Sequence, residues 1–131
     1  MIRAARLAYL VLSAAFLVGM VAQVFLAGMF NFGESSYRSL HQVMGYSLHF
    51  VPVLILVAAW FSRAGKRHWQ WAAALAVVTL IFPLLPAISG GNAIISALHP
   101  VGAFVAFGLA AFVARNAWQA YQLGTESAPG V

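Results

Sequence analysis

Four long apolar stretches, separated by short polar segments, restrict the possible folds of this chain more than any other feature. They cover residues 7–32, 37–62, 71–88 and 93–118. About 20 apolar residues in a helix cross a bilayer, and a helix satisfies its own backbone polar groups in lipid. A hydrophobic content of 63% and a mean hydropathy of +0.91 also exceed what a water-facing surface allows. The sequence therefore predicts an all-α integral membrane protein, with residues 1–131 forming one domain in the lipid bilayer.

Basic residues are concentrated at one end of the predicted spans. Arg3 and Arg6 precede the first span, and the basic segment 63–68 joins the second to the third. Basic loops stay on the cytoplasmic side, so both termini are predicted inside, with two consecutive helical hairpins forming a four-helix bundle. The first stretch is longer than the core of a secretory signal, which indicates a retained span. The polar tail 119–131 is predicted to be frayed.

Composition excludes several classes of function. The net charge of +5 lies in loops and ends, where it sets topology, so nucleic acid is not expected as a partner. The absence of cysteine excludes disulfides, iron–sulfur clusters and thiolate-bound or covalently attached haem. The spans lack the acidic or thiol members of a hydrolytic triad, and no glycine-rich phosphate loop is present. A hydrolase or a nucleotide-binding protein is therefore not predicted.

Three histidines interrupt the apolar stretches. His41 and His49 lie in the second span, and His99 lies near the start of the fourth. Titratable groups inside a bilayer cost a few kcal/mol each, so they usually face the bundle interior and usually have a function. By contrast, His68 is flanked by cations and is predicted to be a solvated loop residue. Gln23, the strongly polar group of the first span, is predicted to form one interhelical hydrogen bond.

A weak internal repeat relates the second and fourth spans. Leu-His occurs at 40–41 and at 98–99, and Ala-Trp occurs at 59–60 and at 117–118, so that each histidine precedes its tryptophan by nineteen residues. Tryptophan gathers at membrane interfaces. With a rise of about 1.5 Å per helical residue, both histidine rings are then expected at the same depth, as two axial ligands of one haem require.

The spacing of the histidines favours haem over a bare metal ion. His41 and His49 differ by about 80° around a helix and about 12 Å along it, so they cannot bind one ion. A zinc site needs three or four converging ligands, whereas haem needs two axial groups. We therefore predict that His41 and His99 bind the iron of a haem b. Gly45 and Gly102 would leave room for the ring, and Arg38 would lie near its propionates.

Two points about this site stay open at the sequence level. A pair of His49 with His99 is the alternative ligand set. With His41 as ligand, His49 is left to hydrogen-bond at the porphyrin edge, to join a proton path, or to bind a second haem across an oligomer interface. Pro52 predicts a kink near residues 44–48, and Pro100 predicts that His99 stands in a first helical turn.

Three short motifs carry a resemblance to known proteins: Gln23 with Ala27-Gly28, His41 with Gly45, and His99-Pro100. With them the chain resembles an uncharacterised family of small bacterial four-helix membrane proteins. More distantly it is similar to four-helix membrane b-type cytochromes such as cytochrome b561, where histidines on different helices bind haem b. The resemblance implies a multi-pass protein of the bacterial inner membrane. With three histidines in its spans, the chain has too few for two bis-histidine haems.

Three hypotheses of function follow. The first is a cytochrome with one haem b near the outer side of the membrane, an electron carrier rather than an enzyme with its own substrate, exchanging electrons with a quinone or a redox protein. The second is a non-catalytic membrane subunit or assembly factor whose histidines are structural. The third is a homo-oligomer that conducts protons or a small solute past the three histidines.

Overall fold

The computed structural model describes residues 1–126, with side chains described through Leu123. Six α-helices and one 3₁₀ turn make up this part of the chain, which contains no strand. The helices are α1 (Ile2–Phe32), α2 (Tyr37–His49), α3 (Val51–Phe61), α4 (Lys66–Ile81), α5 (Leu85–Ile88) and α6 (Ala93–Glu126), with the 3₁₀ turn at Phe82–Leu84. They form four units long and apolar enough to cross a membrane. The predicted all-α fold with four spans is confirmed.

The four units alternate in direction and pack in a ring. Helix α1 packs against α3 and α6, and α4 packs against the same two helices. At one end, the Arg6 Nε donates to the Ser62 carbonyl at 3.2 Å, which ties the start of α1 to the turn 62–65. We call this the basic end, because Arg63, Lys66 and Arg115 also belong to it. The opposite end, with the turns 33–36 and 89–92, is called the histidine end.

The apolar core lies mainly in the half of the bundle nearer the basic end. Many of its members are alanines, which let the four helix backbones approach closely. Its buried residues are Tyr9, Phe16, Ile55, Ala58, Ala59, Ala72, Leu75, Ala110, Val113 and Ala117. Helix α2, the 3₁₀ turn and α5, all at the histidine end, have no buried residue. The two halves of the bundle are therefore packed very differently.

The outer surface of the bundle is apolar. Only 22% of the most apolar window of each span is buried. Large side chains such as Val18, Phe25 and Phe104 are instead exposed, at 70%, 64% and 81%. In water this surface would be strongly unfavourable, whereas lipid tails solvate it. The chain is a multi-pass membrane protein by this criterion.

The helices extend beyond the spans drawn from hydropathy, chiefly at the basic end. Helix α1 begins at Ile2 rather than near residue 7, and α4 begins at Lys66 rather than near residue 71. Helix α6 continues through residues 119–126, where a frayed tail was predicted. Residues 127–131 of that tail lie outside the described residues. Polar residues that hydropathy assigns to loops therefore form helix ends that extend beyond the apolar spans.

Prolines shape the second, third and fourth spans. The second span breaks at Phe50, between α2 and α3, slightly beyond the predicted kink at 44–48, and Pro52 lies in the first turn of α3. Pro100 is also placed differently from the prediction. It lies inside α6, which begins seven residues earlier at Ala93, so His99 does not stand in a first helical turn. The side chain of Asn92 caps that helix, accepting from the Ile94 and Ile95 amides at 3.0 and 3.2 Å.

Candidate functional site

His41 and Gln23 form a reciprocal pair between α2 and α1. The Gln23 side-chain Nε2 donates to the His41 carbonyl at 3.0 Å, which confirms the interhelical hydrogen bond predicted for this glutamine. In return, the His41 Nδ1 lies 3.2 Å from the Gln23 carbonyl oxygen. The ring of Phe30 packs beside the imidazole, with centroids 5.4 Å apart. The His41 ring is thereby held between two helices, partly buried.

His99 has a similar partner in the second hairpin. Its Nδ1 lies 3.3 Å from the carbonyl oxygen of Phe82, at the point where α4 gives way to the 3₁₀ turn. Pro86, four residues after Phe82, has no N–H for a regular helical bond. The Leu85 N–H donates to that carbonyl instead, and the oxygen accepts from His99 with its second lone pair. The proline-rich turn thus supplies the acceptor that orients this imidazole.

These two contacts determine which ring nitrogen remains available. A carbonyl oxygen has no hydrogen to donate, so the Nδ1 of each ring must carry the proton that forms the bond. In a neutral imidazole the Nε2 is then an unprotonated lone pair. Histidines that bind metals commonly show this arrangement, with Nδ1–H donating to a backbone carbonyl and Nε2 available to the metal. Both His41 and His99 therefore have the tautomer in which Nε2 is the unprotonated nitrogen.

The predicted glycines belong to the same two contacts. A Cβ on Gly45 would lie 3.1 Å from the Gln23 Nε2, and a Cβ on Gly102 would overlap the ring of Phe82. In each hairpin, therefore, one residue of the first helix accepts from the histidine with its carbonyl and packs its side chain on a nearby glycine. The repeat seen in the sequence extends to these contacts. In the structure Gln23 and Phe82 lie against the two glycines.

The helices that carry His41 and His99 are close without being packed together. Both helices contact α1, so they are neighbours around it. Yet α2 packs on α1 and α3, while α6 packs on α1, α4 and α5, and the direct contact between α2 and α6 is marginal. The two imidazoles therefore belong to the loosely packed histidine end, on helices that both contact α1.

The remaining predicted site residues are arranged differently. His49 is partly buried, and its ring meets the ring of Phe50 edge-on at 5.8 Å. Its imidazole has no hydrogen bond to the described part of the protein, so it lacks the carbonyl partner of the other two. Arg38 is exposed on α2, three residues before His41. Among the described residues, no three or more His, Cys, Asp or Glu side chains converge as a metal site.

A comparison with known families matches the part of the chain that carries His41 and its partners, but not the part that carries His99. Residues 23–88 match the model of a family of unknown function (DUF6220), and this segment is half of the chain. The chain belongs to DUF6220. The segment shared with DUF6220 begins at Gln23 and includes His41, Gly45 and Phe82, whereas His99 lies beyond it. No curated protein and no solved structure matches the chain.

A second group of polar residues, at the basic end, was not expected from the sequence. His68 was predicted to be a solvated loop residue, but it lies in the first turn of α4 and is half-buried against Tyr9, with ring centroids 6.2 Å apart. The Tyr9 hydroxyl, the His68 Nδ1 and the Asn116 Nδ2 are buried without a hydrogen-bond partner. The available signal for this group was the presence of a tyrosine and an asparagine inside apolar spans. The sequence alone did not show that Tyr9 meets His68, or that His68 and Asn116 line one cleft.

Proposed function

We propose that this protein is a membrane b-type cytochrome that binds one haem b between His41 and His99. The observation that carries the proposal is the matched orientation of the two imidazoles. Each directs Nδ1 to a backbone carbonyl, at 3.2 and 3.3 Å, and leaves Nε2 available. Two equivalent histidines of this kind, on helices that both pack against α1, are what a bis-histidine site requires.

The loose packing of the histidine end supports the same proposal. A flat group inserted between α2 and α6 would displace little existing contact, since these helices barely touch. Phe82 and Gln23, which lie against Gly102 and Gly45, are side chains that can change rotamer on binding. Arg38, exposed one turn before His41, is the cation nearest to this ligand along α2 and would pair with a carboxylate at the membrane surface.

When bound, haem would supply the one-electron chemistry at its iron. The chain's own residues would hold the haem and orient its two ligands. The carbonyls of Gln23 and Phe82 fix the tautomer of each ligand and raise its basicity. The apolar spans exclude water from the site, which lowers the local dielectric and shifts the redox potential. We propose a quinone or a redox protein as electron partner, and a carrier rather than an enzyme with its own substrate.

The resemblance to cytochrome b561-like proteins is part of this proposal, as is the location in a bacterial inner membrane with both termini inside. With that orientation, the basic end is cytoplasmic and the histidine end faces outward. The site would therefore exchange electrons near the outer surface. A homo-oligomer would give His49 a place at a subunit interface.

A structural role for the histidines is the second candidate, because the bonds of His41 and His99 also tie each hairpin together. In that case the protein is a non-catalytic membrane subunit or assembly factor. The third hypothesis, a proton- or solute-conducting oligomer, would need polar lining beyond the three histidines. His49, without a hydrogen bond in the described part of the chain, is the residue most open to such a path.

The test is optical. The wild type and the variants His41→Ala, His49→Ala and His99→Ala are produced with haem supplied and purified in mild detergent, and oxidised and dithionite-reduced spectra are recorded. We expect a sharp reduced α band in the wild type and in His49→Ala, and its loss in the other two. Added imidazole should restore part of the band, since it replaces the missing ligand without changing the fold.

Two outcomes would contradict the proposal in different ways. A band lost in His49→Ala but kept in His41→Ala would move the site to His49 with His99. A colourless wild type that is folded by circular dichroism, despite haem supply, would remove the cytochrome hypothesis. Thermal destabilisation of His41→Ala and His99→Ala would then support the structural role.

A further inference from the structure

We propose that a cleft at the basic end binds the phosphate group of an anionic phospholipid. The cleft lies between the first turn of α4 and the last third of α6, and its volume is about 290 Å³. Its walls are formed by Arg67, His68, Phe112, Arg115, Asn116 and Gln119. None of these residues belongs to the site between His41 and His99, at the other end of the bundle.

One face of α6 supplies most of the cleft. Phe112, Asn116 and Gln119 follow one another at intervals of four and three residues, which places them in one row along the helix. Arg115 stands beside Asn116 and projects from the same side. Across the cleft, the Arg67 guanidinium lies 5.9 Å from the centre of the Phe112 ring, a cation–π contact. That contact holds one cationic group at the cleft wall before any ligand arrives.

An unused donor points to the ligand's chemistry. Asn116 is 9% exposed, and its Nδ2 is buried without a hydrogen-bond partner. An amide nitrogen can only donate, so the group that would satisfy it must be an acceptor. The His68 Nδ1, in the same cleft, is also buried without a partner. Buried polar groups in proteins are nearly always paired, so the unpaired Asn116 amide indicates a missing acceptor, and the His68 Nδ1 can donate to the same acceptor when it carries the ring proton.

The charged side chains that line the cleft are positive. Arg67 and Arg115 contribute guanidinium groups, and α4 begins at Lys66, so the positive end of its dipole lies at the same place. The sequence holds only two acidic residues, Glu34 and Glu126. Glu34 belongs to the histidine end, and Glu126 follows Arg115 by eleven residues, about 16 Å along a helix. Within the part of the chain whose side chains the structure describes, no carboxylate neutralises this cleft, and an anion with several acceptor oxygens fits it.

The depth of the cleft favours the phosphate of a lipid over other anions. Trp60, Trp69 and Trp118 lie at the same end, and Trp60 and Trp118 are more than half exposed. Exposed tryptophans mark the headgroup level of a bilayer, where phosphates are concentrated. Basic pockets between membrane helices bind anionic headgroups in this way. Inorganic phosphate has the same chemistry, so the experiment must separate the two sources.

The experiment measures lipid retention by native mass spectrometry on the full chain in detergent. The probes are phosphatidylglycerol, phosphatidylcholine and inorganic phosphate, each titrated against the wild type, Arg115→Gln and Asn116→Asp. Arg63→Gln is the matched control, because it removes a cation from the same end but outside the cleft. Arg115 is exposed and its substitution leaves the core intact, whereas the shape-conserving Asn116→Asp replaces the donor with a negative charge.

We expect the wild type and Arg63→Gln to retain one phosphatidylglycerol in preference to phosphatidylcholine. Affinity should fall about fivefold in Arg115→Gln and further in Asn116→Asp. Equal retention of phosphatidylglycerol by all four proteins would overturn the proposal, as would equal retention of the two lipids. Binding of inorganic phosphate alone, with the same loss in the two variants, would overturn the lipid assignment.

Discussion

Gly102→Ala tests the contact that sets the partner of His99. A Cβ at position 102 would overlap the Phe82 ring, so that ring must move and its backbone carbonyl is drawn away from the His99 Nδ1. Gly108 lies six residues later in the same helix, and a Cβ added there would have no neighbouring atom within 4 Å. The same substitution can therefore be compared at a crowded and at an open position of α6.

The expected magnitudes follow from two terms. Alanine in place of glycine in a helix interior stabilises by up to about 1 kcal/mol, and this gain applies at both positions. Overpacking costs about 1–3 kcal/mol, and it applies at position 102 alone. We therefore expect Gly108→Ala to raise the free energy of unfolding by about 1 kcal/mol, and Gly102→Ala to lie about 1–3 kcal/mol below it.

The assay is reversible unfolding in mixed detergent micelles with increasing dodecyl sulfate, followed by circular dichroism. Phe82→Ala is added to complete a double-mutant cycle, since removing the ring should make Gly102→Ala harmless. Additive effects of the two substitutions, or equal stabilities of Gly102→Ala and Gly108→Ala, would refute the proposed packing of Phe82 on Gly102.

Two further predictions use the same assay. Gln23→Met removes one interhelical hydrogen bond, which is worth about 0.6 kcal/mol in membrane proteins. It also removes the Gln23 Oε1, and burying this atom without a partner costs the wild type about 1–3 kcal/mol. Stability should stay the same or rise, and a loss above about 1 kcal/mol would show that the amide is fully satisfied. Arg63 has a φ of 51°, in the left-handed region where a non-glycine residue costs about 1–2 kcal/mol. Arg63→Gly should therefore be more stable than Arg63→Ala, and the reverse order would contradict the left-handed conformation of this turn.

The number of spans and the interhelical hydrogen bond of Gln23 could be predicted, because both depend on local signals. A run of apolar residues has to be long enough for the bilayer, and a lone amide within it has to find another helix. Pro52 marked a break, but its position at Phe50 could not be fixed, since neighbouring contacts decide how a freed carbonyl is accommodated.

The environment of the histidines was only partly predictable. The pairing of Leu-His motifs in the two hairpins suggested equivalent positions for His41 and His99, and their carbonyl contacts are equivalent. The identity of those carbonyls could not be read, because every residue has one and only packing selects Phe82. His68 was misassigned because hydropathy places Lys66–His68 in a loop, whereas the helix starts there and turns the imidazole inward toward Tyr9.

The alanine-rich core near the basic end has a consequence for how this protein can change over time. Stability comes largely from helices that meet through Ala59, Ala72 and Ala117, where a larger residue would push the backbones apart. Helix α2, the 3₁₀ turn and α5, at the histidine end, have no buried residue, so most substitutions there, away from the contacts of Gly45 and Gly102, cost the fold little. Most residues of the histidine end can therefore change almost independently of whether the chain folds. A chain built this way keeps its scaffold in one half of the bundle and leaves the other half open to variation.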